Sequence, residues 1–204
     1  MNTKPIAAVA LASTITLLGA CGTPAASSTD TDVSKALVML DELTVAPEDT
    51  GYHYDRDDWP HWSSTGGGCD TRDTVLQEQG QSVKVFDGCA VTGVWASVYD
   101  GETVHDAKDL DIDHVVPLAE AARSGVRDWS RVDRERYAND KRFLLAVTAS
   151  SNRSKGDDDP ARWLPSDSSY RCAYLALWVE AKHTYKLAMD PDEHQAVTSG
   201  LKRC

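Results

Sequence analysis

Two stretches of the sequence carry side chains suited to phosphate chemistry. The first is Asp109-Leu110-Asp111-Ile112-Asp113-His114-Val115-Val116-Pro117-Leu118, in which a carboxylate and an imidazole are neighbours fixed by apolar residues on either side. The second, Ser151-Asn152-Arg153-Ser154-Lys155-Gly156-Asp157, offers an amide oxygen and two cations. One Asp and one Asn form a sparse, hard oxygen site suited to Mg²⁺ that keeps most of its waters, with Mn²⁺ as an alternative. A neutral His beside such a site can deprotonate a water for in-line attack on a phosphodiester. Arg153 or Lys155 would add positive charge at the phosphate, and Arg72 is a further candidate for that contact. Plainer uses exist for each residue. Asp113-His114 can be a structural hydrogen-bonded pair, Asn152 can cap a helix opening in the Asp-rich stretch after it, and the cations can be solvated or paired. Asp157, Asp158 and Asp159 read as a solvated helix start rather than a metal cluster, and no other His has ligand spacing.

The two stretches together resemble the HNH endonucleases of the ββα-metal, or His-Me finger, class, nearest to an exported branch related to the C-terminal domain of a modification-dependent restriction enzyme. The elements Cys69-Asp70-Thr71-Arg72, Gly93-Val94-Trp95 and Trp163-Leu164-Pro165 are also similar to that branch, so the resemblance extends over most of Tyr52 to Cys204. It implies an α+β fold with a ββα core and additional packed helices, His114 as general base, and Asp113 and Asn152 as ligands of a divalent metal, Mg²⁺ first. It also implies DNA, or RNA, as substrate. One departure stands out. The family places a middle Asn nine residues before the last one, and here that register holds Phe143; Asn139, four residues earlier, is the candidate to hold the loop near the base. At this spacing the plainer readings of Asp113, His114 and Asn152 give way to catalysis. A non-catalytic lipoprotein module on the same scaffold and a toxin-like effector nuclease remain the competing classes.

The chain has 204 residues, 32 acidic against 21 basic, for a formal charge of −11. That length suits one domain with a real core, and six Trp with seven Tyr argue against a disordered chain. The acidity excludes a polybasic nucleic-acid coat, which binds by neutralising phosphates with excess Lys and Arg. No apolar run reaches the roughly 18 residues of a membrane-spanning helix. Residues 1–20 read as an export signal: Lys4, an apolar stretch from Ile6 to Leu18, then Leu18-Gly19-Ala20-Cys21. This ending resembles a bacterial lipobox, which implies cleavage before Cys21, lipid on its thiol, and a domain held at the outer face of the cytoplasmic membrane or secreted. Residues 21–36 are expected to be a flexible tether and 37–204 the domain. Setting Cys21 aside leaves Cys69, Cys89, Cys172 and Cys204, an even set for an oxidising compartment. Three pairings are open; Cys69–Cys89 and Cys172–Cys204 are preferred because each closes a local loop.

The elements that must position these residues follow from local patterns. A short helix is expected over Ala36–Leu43 and strands over Val83–Val85 and Val91–Tyr99, with Asp87-Gly88 as the turn. A strand should end near His114, and Pro117 should open a helix reaching about Gly125. Phe143–Val147 is ambiguous between strand and helix. Arg171–Ala188 is the clearest helix, with Tyr174, Leu175, Trp178, Ala181 and Tyr185 on one core-facing stripe. Asp190-Pro191 caps and starts a terminal helix.

Overall fold

The computed structural model describes Met1 and residues 28–204; the rest of the expected leader, Cys21 and the first part of the expected tether lie outside them. The first helix, α1, runs Ser28–Glu42, so the stretch expected as tether is helical from Ser28 onward. It lies along α6 (Arg171–Tyr185), burying Ala36 and Leu40, which sit one helical turn apart on one face. The last helix, α7 (Pro191–Leu201), is capped by Asp190, whose side chain accepts from the backbone of Asp192 and Glu193. Lys182 of α6 is fully buried and donates to Glu120 at 2.7 Å, Glu193 at 2.8 Å, Ser124 at 3.0 Å and the carbonyl of Ala188 at 2.9 Å. Its charge is compensated and hydrogen-bonded, which burial of an ammonium requires.

Between α1 and α6 the chain forms three small antiparallel sheets. β1 (Ser64–Gly66) pairs with β2 (Cys69–Asp70). Asp70 then caps α2 (Thr71–Gln79), exchanging backbone and side-chain bonds with Asp73. β3 (Gln81–Val85), β4 (Val91–Ala96) and β5 (Thr103–Val104) form the second sheet in sequence order. The turn out of α2 needs Gly80, since a Cβ there would lie 2.5 Å from Val83 Cγ2 and 2.6 Å from Trp95 Nε1. The third sheet pairs β6 (Leu110–His114) with β7 (Leu144–Thr148) in regular register, Asp113 opposite Leu145 and His114 opposite Leu144. Helices α3 (Leu118–Arg123) and α4 (Arg131–Ala138) lie in the connection, and α5 (Ala149–Lys155) follows β7 directly.

β6 separates two cores. Leu110 and Ile112 face Val75, Leu76, Trp95 and Val104, together with Leu144 and Ala146 of the partner strand. The intervening residues point the other way, as strand alternation demands, toward the larger core of Tyr99, Val115, Val116, Tyr174 and Trp178. The tyrosine–tryptophan stripe of α6 is therefore core, as its spacing predicts. Among the described residues no helix is long and apolar enough to cross a membrane.

Both disulfides pair as expected, Cys69 with Cys89 and Cys172 with Cys204. The second fastens the end of the chain, just past α7, to the first turn of α6. Thiol titration of the denatured, unreduced protein should find none of these four cysteines free. Cys172→Ala with Cys204→Ala should lower unfolding free energy by roughly 2–5 kcal/mol in a denaturant titration; an unchanged midpoint would show that the bridge does not hold α7.

Candidate active site

The local sequence explains how β6 delivers its last two residues. Val115 and Val116 are buried and pull the chain inward beyond the strand. Val115 donates its N–H to the Phe143 carbonyl at 3.0 Å, and the Tyr137 hydroxyl donates to the Val116 carbonyl at 2.6 Å. Pro117 then opens α3. Asp113 and His114 thereby line a cavity of about 480 Å³ together with Tyr54, Arg56, Asn152, Arg153 and Asp157.

His114 is 8% exposed, and its Nε2 lies 2.9 Å from the Ala138 carbonyl oxygen. A carbonyl only accepts, so Nε2 carries the proton and Nδ1 keeps its lone pair. Burial pushes the imidazole pKa down to about 3, with Lys155 and Arg56 adding repulsion, so the ring is neutral at physiological pH. The indole of Trp62 stacks on it, ring centres 5.9 Å apart at 28°. The carbonyl that holds the ring is itself held. Asn139, the residue after Ala138, accepts from the Ser63 N–H and the Thr71 hydroxyl and donates to the carbonyls of Pro60 and Glu135, all at 2.8 Å. Its amide is fully engaged in bracing the backbone at the base.

Asp113 is buried beneath the cavity. Lys155 Nζ donates to both of its oxygens, at 2.9 and 2.8 Å, and to the His114 carbonyl at 2.8 Å; the Tyr99 hydroxyl donates to Oδ2 at 2.6 Å. Burial raises the carboxyl and lowers the ammonium, and their contact opposes both effects. This corrects the expectation that Lys155 touches phosphate: it is wholly buried, and its three protons are spent. Arg72 is not at the cavity either. Its guanidinium donates to the carbonyls of Ala107 and Leu110, tying α2 to the start of β6.

Asn152 lies within α5, not at a cap, and its Nδ2 donates to Asp111 Oδ2 at 3.1 Å. That bond leaves the amide oxygen without a protein partner among the described residues. Asp111 and Asp113 share a face of β6, and their alternate spacing is the one signal that could have marked Asp111 beforehand. Nothing in the sequence marks Tyr99, Trp62 or Arg56. Gly156, at φ 56° and ψ −126°, ends α5 in a conformation that favours glycine and turns the chain into Asp157, which pairs with Arg123 at 2.7 Å.

For a divalent metal the available donors are Asn152 Oδ1 and the second lone pair of Asp113 Oδ1. Among the described residues no cluster of three or more acidic, His or Cys ligands is assembled. Two hard oxygens beside an open cavity fit an ion that retains most of its waters.

An antiparallel strand pair with an imidazole closing its first strand, followed at once by a helix bearing the amide, makes this a ββα protein of the His-Me finger class. Within that class the chain belongs to the family described as GmrSD restriction endonucleases, C-terminal domain, which it matches over residues 77–198. An "Uncharacterized secreted protein" of Arthroderma benhamiae is 42% identical over 202 residues, covering 96% of this chain and 98% of that protein. No solved structure matches the chain.

The buried ion pair generates a stability prediction. Lys155→Ala should leave Asp113 charged and uncompensated and cost about 3–5 kcal/mol, read as a fall in the thermal midpoint. Retention of the wild-type midpoint, with only weakened nucleic-acid binding, would return Lys155 to the surface role first expected of it.

Proposed function

We propose that this protein is a metal-dependent endonuclease that hydrolyses phosphodiester bonds of DNA, or of RNA, outside the cytoplasm. The observation that carries the reading is the setting of His114: a buried imidazole whose Nε2–H is committed to the Ala138 carbonyl, with no hydrogen-bond partner on Nδ1 among the described residues, on a cavity shared with Asn152 and Arg153. Nδ1 takes the proton of a water as that water attacks phosphorus, and the fixed Nε2–H keeps the ring from turning away. Trp62 and the Asn139-braced loop restrict it further, so the base is held in one orientation before substrate arrives. Asp113 and Asn152 would hold the metal, Mg²⁺ or Mn²⁺, which when bound supplies charge stabilisation at the phosphate and the leaving oxygen. Arg153, on the cavity wall, contacts a phosphate oxygen. Family membership supports nucleic acid as the substrate class.

Export is supported by the two disulfides and by the secreted description of the relative. We place the lipid on Cys21, anchoring the domain at the membrane surface; several acyl chains give stable attachment where one does not.

The test is plasmid cleavage by the full-length protein with Mg²⁺ or Mn²⁺, with and without EDTA. EDTA should abolish cleavage. His114→Ala should keep the fold and lower the rate by about 10²–10⁴, the usual contribution of a positioned general base. A folded His114→Ala protein that nicks plasmid at the wild-type rate removes His114 from the mechanism.

A further inference from the structure

The family match begins at residue 77, yet one wall of the cavity comes from before it. Tyr54 and Arg56 line the cavity, and the segment that carries them is firmly seated. Trp59 is fully buried against Trp129 and Tyr137, with ring centres 6.0 and 5.7 Å apart. Asn139 donates to the Pro60 carbonyl at 2.8 Å, and Arg134 donates to the Asp58 carbonyl at 3.0 Å. Arg56 itself is exposed.

The charge accounting around the cavity singles out two cations. Lys155 is consumed by Asp113, and Arg123 by Asp157, Glu120 and Glu48. Arg142, Lys141 and Arg127 are paired with Asp140, Glu78 and Asp49. Among the described residues neither Arg56 nor Arg153 forms an ion pair, and both line the cavity that holds His114 and Asn152. The acidic neighbours of Arg56 do not quench it: Asp55 turns its side chain onto the Asp57 N–H at 3.0 Å, and none of Asp55, Asp57 and Asp58 lines the cavity. A guanidinium presents a planar fork of donors that matches two oxygens of a phosphodiester.

We infer that Arg56 is a substrate-binding residue that grips the phosphate being cleaved, so that the segment preceding the matched domain completes the active site. Arg56 supplies the phosphate contact that buried Lys155 cannot make, on the same cavity that Arg153 lines. The inference rests on the nuclease reading above and adds to it a residue the family match does not include. It also explains why the segment is anchored so heavily next to an exposed arginine: the anchors hold a guanidinium where a substrate oxygen arrives.

The experiment compares full-length wild type with Arg56→Ala, Arg56→Lys and, as a distant control, Lys202→Ala. Initial rates on a short duplex are measured against substrate and NaCl at fixed Mg²⁺. Binding of a fluorescent oligonucleotide is measured by anisotropy for His114→Ala and for His114→Ala with Arg56→Ala. Arg56→Ala should lower kcat/KM about 10- to 100-fold, the range for a charge-assisted hydrogen-bond pair. It should also make the salt dependence shallower by about one phosphate contact, with an unchanged melting temperature. Arg56→Lys should recover part of the loss, and the double variant should bind the oligonucleotide about tenfold more weakly, by the same charge-assisted range. If wild type cleaves, Arg56→Ala matches Lys202→Ala in kcat/KM and salt slope, and the double variant binds as tightly as His114→Ala, the role of Arg56 is overturned and the nuclease reading stands. If wild type does not cleave and His114→Ala does not bind the oligonucleotide, the nuclease reading falls and this inference falls with it.

Discussion

Lys155 and Asp113 bring opposite charges into a space from which water is excluded, and the ββα unit is organised around keeping them satisfied. Desolvating either ion alone would cost several kcal/mol. The cost is offset because every proton of the ammonium has an acceptor: two carboxylate oxygens and the carbonyl of His114. The pair joins the last residue of α5 to the end of β6, and so locks helix to sheet at the point where the imidazole emerges. Tyr99 adds a donor from a third direction and brings its own setting. It packs edge-on against Trp163 and Tyr174, and its carbonyl accepts from the Asp167 N–H and the Ser166 hydroxyl. One residue further on, Asp100 bonds the hydroxyls of Thr148 and Ser151 at the opening of α5.

His114 is held by parts of the chain that are far apart in sequence. Its ring is capped by Trp62, its proton is fixed by Ala138, and the following residue, Val115, is tied to Phe143. Asn139, the residue after Ala138, links the first two, since its amide bonds the Glu135 carbonyl of α4 and the backbone on either side of Trp62. A side chain that never reaches the cavity thus governs the geometry of one that does.

The strand ending at His114, the helix after Pro117, the long helix of α6 and the capped α7 were legible because each rests on local pattern: alternation, a proline stop, a 3.6-residue stripe, an Asp-Pro start. β7, the partner of that strand, stayed ambiguous because a short apolar run suits strand and helix alike. The pairing of His114 with Asn152 rests instead on the resemblance of their two motifs to the HNH endonucleases, since no local pattern links residues so far apart. Helices α2 and α4 were not read, because Thr71–Gln79 and Arg131–Ala138 are polar and only weakly amphipathic. What starts them is a capping box, Asp70 with Asp73 and Ser130 with Asp133, with Asp rather than Glu in the third position. Lys155 was misjudged because lysines are almost never fully buried unless paired. Its partner lies 42 residues away in sequence, and no local pattern announces such a pair. Arg72 was misjudged likewise, its acceptors being backbone carbonyls with no sequence signature. The tether boundary slipped because the polar residues from Ser28 to Lys35 belong to the helix that packs on α6.

The two disulfides fall on opposite sides of the ββα unit, one closing a loop within residues 69–89, the other within 172–204. Neither crosses the connection between α5 and α6. If that connection were cut, each piece would remain internally cross-linked. The two would be held to one another by buried surface and by contacts that include Lys182 on Glu120, His183 on Glu42, Tyr185 on Asp140 and the backbone bonds joining Met189 to Thr44 and Ala188 to Ser124. The base would travel with the first fragment, while much of the hydrophobic wall behind Tyr99 would belong to the second. The ring's own partners, Trp62 and Ala138, would stay with the longer piece, and the shorter C-terminal piece would keep its staple as a separately cross-linked wall.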